Sequence, residues 1–152
     1  MAKFKLTEAE LRNMILNAVK NRLNEERSEN TDSKIEDLIS FLHNAQKPIR
    51  EIHWNTNEYA LHMVTDETIG DLLKWEDSLA ETFISDRDVE LKIGEKKPSS
   101  SEDFKSIVRE LGELASDIKA DISGNKDYDN LAAVLDDIIE TTNSLLYKSQ
   151  LK

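Results

Sequence analysis

The sequence predicts an all-α fold: an antiparallel four-helix bundle preceded by an extra N-terminal amphipathic helix. Three observations lead there. The 152 residues include only four glycines and two prolines, and 34% of them are charged. Apolar residues recur every three or four positions in five separate stretches, the period of a helix with one buried face. Few turn formers and many charges suit long helices with solvated outer sides and speak against a turn-rich β fold. A chain of this length holds one real core.

Taken in order, Thr7 and Glu10 form a capping box, in which each residue satisfies a free backbone N–H of the other at a helix start. Leu11, Ile15, Val19 and Leu23 then follow at intervals of four. Residues 1–28 therefore read as a leader helix, either docked on the bundle or serving as a partner-binding or targeting arm. Glu25 to Asp32 is polar and aperiodic and reads as a linker. The bundle is expected over 33–150. Ser33 and Glu36 cap helix A, whose stripe is Ile35, Leu38, Ile39, Leu42, Ile49 and Ile52. Pro48 removes a backbone donor inside that stripe and is expected to kink or split the helix. Helix B is expected from Tyr59 to Lys92, and a short connection near 94–100 leads to helix C at the serine run 99–101, with Ser99 and Glu102 as its capping box. Phe104, Ile107, Val108, Leu111, Leu114, Ala115, Ile118 and Ile122 line helix C, and Ser123-Gly124-Asn125 stops it. Helix D carries Leu131, Val134, Leu135, Ile138, Ile139, Leu145 and Leu146.

The formal charge is −11, unevenly spread. Residues 1–28 hold six Lys/Arg against four Asp/Glu, a surplus of two; the rest hold fourteen against twenty-seven, or −13. An acidic body is a poor surface for nucleic acid and a good one for cations. DNA binding through Lys3, Lys5, Arg12, Lys20, Arg22 and Arg27 is accordingly disfavoured. The absence of cysteine excludes disulfides, thiolate metal sites and cysteine catalysis, and fits a reducing, cytoplasmic setting. No stretch is apolar enough for a signal peptide or a membrane span.

The chemistry is expected from His53, His62, Asp66, Asp77 and Glu81. On a helical wheel at 100° per residue with Leu61 at zero, the last four fall at roughly 100°, 140°, 160° and 200°. The apolar set Leu61, Thr65, Ile69, Leu72, Leu79 and Phe83 centres near roughly 40°, so the candidate ligands form a separate stripe beside the core-facing one. Asp66 and Asp77 lie roughly 16 Å apart along the helix, whereas a metal ion holds its ligands at about 2–2.5 Å. One chain cannot close all five residues on one centre. A second, antiparallel copy would bring its Asp77 and Glu81 against His62 and Asp66 of the first, which makes a twofold dimer with two equivalent sites. Imidazole with carboxylate suits Fe²⁺, Mn²⁺ or Zn²⁺. His43 has no partner at ligand spacing and reads as structural, while Trp54 and Trp75 read as packing residues more than redox relays.

His53-Trp54-Asn55, Ala60-Leu61-His62, Asp66, and then Asp77 and Glu81 together resemble the ferroxidase signature of the Dps-like mini-ferritins, and the likeness extends from about Ile35 to Leu146. The resemblance implies a ferritin-like bundle. It implies an intersubunit site with His53, His62 and Asp66 from one chain and Asp77 and Glu81 from its twofold partner, holding two iron ions. It also implies oxidation of Fe²⁺ by peroxide or oxygen, storage of ferric mineral in a hollow dodecamer, and Trp54 beside the iron. The Glu-x-x-His motif of larger ferritins is absent, which disfavours a di-iron centre within one subunit. The leader resembles N-terminal segments recurring in phage proteins of gut bacteria, which implies a phage or prophage origin. The alternative function is a non-catalytic ferritin-like structural or interaction protein.

Overall fold

The structure, a computed structural model, describes residues 5–151 apart from the side chains of residues 24, 27 and 28. Lys3 and the side chain of Arg27, both weighed above as DNA contacts, lie outside the described residues. Among the described residues there are four α-helices, α1 Glu8–Asn55, α2 Tyr59–Arg87, α3 Phe104–Ile122 and α4 Asp129–Lys148, with a short 3₁₀ turn at Lys126–Tyr128. The chain divides into two compact units, Met1–Ser33 and Lys34–Lys152.

In the first unit the expected capping box forms. The Thr7 N–H donates to Glu10 Oε2 at 3.0 Å, and the Glu10 N–H donates to Thr7 Oγ1 at 3.2 Å. Residues 25–32 are helical, not a linker. Glu25-Glu26-Arg27 are good helix formers and the stretch contains no glycine or proline, so polarity alone did not break the helix.

The second unit is built from the later part of α1 and the three shorter helices. Its directions follow from pairs of contacts. Lys34 of α1 meets Asp121 at the end of α3 at 2.6 Å, while His53, near the end of α1, stacks on His62 at the start of α2. Both α2 and α3 thus run against α1. Helix α4 lies against both of them and runs with α1: Trp75 meets Asp137 at 2.8 Å, and Glu67, nearer the start of α2, meets Lys148 at the end of α4. Neighbouring helices are therefore antiparallel, as predicted, while the diagonal pairs α1/α4 and α2/α3 are parallel.

Parallel α2 and α3 require a connection that travels the length of the bundle. It occupies residues 88–103, longer than the expected 94–100. Helix α2 stops at Arg87 instead of Lys92 because Asp88 turns left-handed (φ 51°, ψ 50°) and donates its N–H back to Ile84. The connection is then pinned to α1. The Gly94 N–H donates to Ser40 Oγ at 2.8 Å, and the Asn44 carboxamide donates to the carbonyls of Gly94 and Lys96 at 3.0 and 2.9 Å. Ser99 does not cap α3 but is held by Glu110; Ser100 Oγ accepts the N–H groups of Glu102 and Asp103, and the helix opens at Phe104. Pro48 neither splits nor ends α1. It is buried, so packing around the ring offsets the lost backbone hydrogen bond.

The predicted stripes fill the core. Every apolar residue assigned to helices A and C is buried except Ile52 and Leu114, which are partly so. Phe41, Ala45, Val64, Trp75 and Tyr128 complete it. Trp75 satisfies its indole N–H on Asp137, and the Arg87 guanidinium lies 4.0 Å from the Tyr128 ring centre. Where α3 passes α4, Gly112 allows the close approach: a Cβ there would stand 3.0 Å from Thr142 Oγ1. Gly124, at φ 76°, ends α3 in the predicted stop.

Candidate functional site

Helix α1 ends and α2 begins within four residues, so His53 and His62 face each other across the turn. Their rings stack with centroids 4.1 Å apart and planes 19° from parallel. The anchoring is reciprocal. His53 Nδ1 lies 2.9 Å from the His62 carbonyl oxygen, and His62 Nδ1 lies 3.1 Å from the His53 carbonyl oxygen. A carbonyl can only accept, so each Nδ1 carries a proton and donates it. Nε2 is then the nitrogen of each ring left for other chemistry. Thr65 Oγ1 stands 3.0 Å from His53 Nδ1 and its hydroxyl bonds the Leu61 carbonyl at 2.7 Å, which ties the pair to the first turn of α2. An imidazole whose Nδ1–H rests on a carbonyl is the arrangement typical of a metal-ligating histidine.

Asp66, Asp77 and Glu81 are all exposed, on the outward stripe that their spacing predicted. Among the described residues none of them enters a salt bridge, so their carboxylates are not committed elsewhere. A single chain does not gather them. No group of three or more His, Asp or Glu capable of holding a metal ion is found among the described residues. What one chain assembles is the histidine pair.

The stacking limits what that pair can hold. An imidazole binds a metal in its own ring plane at about 2.0–2.2 Å. Two rings offset face to face and only 19° from parallel have planes that meet far beyond that distance. One ion cannot lie in both planes.

Trp54, next to His53, does not pack into the core of its own chain. It is 69% exposed, and Tyr59 and Met63 nearby are exposed as well. Trp75, by contrast, is the packing residue expected.

Residues that spacing did not reveal pair across helices. His43 Nδ1 meets Glu76 Oε1 at 2.6 Å, and the other oxygen of Glu76 accepts from Gln46 at 2.7 Å. The sequence signals only half of this, since His43 and Gln46 share a face of α1 while Glu76 comes from α2. In the seam between α2 and α4, Asp71 stands near Glu67 and Asp137. Burial first, then these two carboxylates, raises its pKa above the usual carboxyl value, against a smaller opposing pull from Lys74 and Lys148. Among the described residues its buried Oδ2 has no hydrogen-bond partner.

A family of unknown function, DUF5856, matches residues 53–149, well over half of the chain. The chain belongs to this family. The DUF5856 match begins at His53 and takes in all five candidate residues, α2, α3 and α4, while the leader and most of α1 lie outside it. No curated protein and no solved structure matches the chain. Among the described residues no helix is long and apolar enough to cross a membrane.

Proposed function

We propose that this protein is a ferritin-like, Dps-like iron protein that oxidises Fe²⁺ at a site shared by two copies and retains the ferric product. The observation that carries the reading is the His53–His62 pair, two imidazoles fixed through Nδ1 with no hydrogen bond at either Nε2 among the described residues. Three further features support it. Asp66, Asp77 and Glu81 lie exposed along one helix at distances that only a second copy can reconcile. A bundle with one long crossover connection is the ferritin-like arrangement. The strongly acidic body attracts cations.

In this reading His53, His62 and Asp66 of one protomer and Asp77 and Glu81 of its partner bind two Fe²⁺ substrate ions. Each Fe²⁺ loses one electron, and one hydrogen peroxide takes both electrons with two protons to give two waters. The protein's part is to hold both ions close, keep the imidazoles in the Nδ1–H tautomer, and offset positive charge with carboxylates. Assembly into a dodecamer, a reducing cytoplasm and a phage or prophage origin belong to the same proposal.

The test is anaerobic titration with Fe²⁺ followed by peroxide, reading ferric absorbance for wild type, His62→Ala and the double variant Asp66→Ala/Glu81→Ala. The expected result is a loss of initial rate of about tenfold or more in both variants. Superimposable traces would end the proposal. A second reading, a non-catalytic scaffold that acts through its leader, is favoured by the exposed apolar side chains of that segment. It predicts that the double variant is silent in iron loading and in sizing alike.

A further inference from the structure

The first unit carries an exposed apolar face. Leu11, Met14, Ile15, Leu16, Val19 and Leu23 lie on one side of the helix and are between 48% and 57% exposed, although each is a residue type that normally goes inside. The face is not purely apolar. Glu8, Arg12 and Arg22 fall within it, at about 60°, 100° and 20° on a wheel that sets Leu11 at zero and centres the stripe near Ile15.

We infer that this face pairs with the same face of a second copy, the two leaders running antiparallel about a twofold axis at Ile15. Glu8 and Arg22 decide the occupant and the direction, while Arg12 falls opposite Ala18. Antiparallel pairing centred on Ile15 sets Glu8 of each copy opposite Arg22 of the other, Leu11 opposite Val19, and Met14 opposite Leu16. Parallel pairing sets Glu8 against Glu8 and Arg22 against Arg22, which repel. Both charges are at hand for exchange. Among the described residues Glu8 is ion-paired with Arg12 and Arg22 with Glu26, in pairs whose side chains are at least 63% exposed and which cost little to trade. The opposite side of the helix argues against a membrane surface as the occupant. It presents Asn13, Asn17 and Asn21 with a single lysine, Lys20, whereas helices lying on anionic lipid are rich in Lys and Arg there. The pairing is separate from the histidine site and stands or falls without it.

The chain has no cysteine, so introduced ones report cleanly. In the full-length protein, Ile15→Cys is expected to give a disulfide-linked dimer on mild oxidation, while Asn17→Cys, on the other side of the helix, gives none. This readout is specific to the leader whether or not the second unit also associates. Glu8→Arg and Arg22→Glu are each expected to weaken leader pairing by about tenfold, seen as loss of the Ile15→Cys cross-link on dilution, and the double reversal restores it. Equal cross-linking at positions 15 and 17, indifference to either single reversal, or flotation of a monomer with vesicles containing phosphatidylserine would each overturn the inference.

Discussion

Two regions of this chain carry the same sequence signal and meet different fates. Residues 11–23 and the stripes of α1 from Ile35, α2, α3 and α4 all repeat apolar side chains at helical period. In the second unit most of those side chains are buried, Leu38 and Ile138 completely, and the rest are partly so; in the leader they stand about half exposed. Period decides that a segment is helical and which side is apolar. Whether that side is covered depends on what three-dimensional neighbours the chain supplies, which period does not encode.

The difference can be pressed hardest at the core. Trp75→Ala removes a fully buried indole and its hydrogen bond to Asp137, so unfolding in urea is expected to show a loss of about 3–5 kcal/mol. Val19→Ala in the leader is expected to change the same measurement by no more than about 0.5 kcal/mol in dilute solution. A comparable loss at both positions would erase the contrast. Next in size, Thr7→Ala removes the cap and is expected to destabilise the first turn of α1 by about 1 kcal/mol, seen as faster amide exchange at residues 8–11 with the global unfolding midpoint unmoved.

Smaller effects test the polar seams. The folded chain holds the Asp71 proton more tightly than the unfolded chain, so ionised Asp71 costs stability above its raised pKa, and the cost fades as pH falls through that value toward the ordinary carboxyl pKa. Asp71→Asn is therefore expected to raise the thermal midpoint at pH 7, with the gain shrinking as the pH drops toward about 4. A gain that persists unchanged in acid would contradict the cause assigned here. Smallest of all, Lys148→Ala breaks a partly exposed pair with Glu67 and is expected to cost less than about 1 kcal/mol by the same denaturation.

Much of the fold was legible because it is local. The Thr7–Glu10 box, the stop at Gly124 and the core sides of four helices depend on residues within a turn or two of each other. The errors share a cause in the other direction. Helix α2 ends where Asp88 adopts a left-handed conformation with no glycine to announce it, and residues 88–103 are held by Ser40, Asn44 and Glu110, which are distant in sequence. Polar residues 25–32 lack a breaker and stay helical, and Pro48 is tolerated because its surroundings pack. At the site, spacing along α2 placed Asp66, Asp77 and Glu81 on an outward stripe correctly. It could not show that His53 and His62 would lock each other through their backbones, because that contact joins two helices. The His43–Glu76–Gln46 cluster was hidden for the same reason.

The contrasting surroundings of the two tryptophans make the protein its own pair of optical reporters. Trp75, enclosed and hydrogen bonded, should fluoresce at short wavelength and shift red only when the core opens, whereas Trp54, in solvent beside His53, should emit at long wavelength from the outset. A Trp54→Phe protein then isolates unfolding, and a Trp75→Phe protein isolates quenching by any paramagnetic ion that arrives next to the stacked imidazoles.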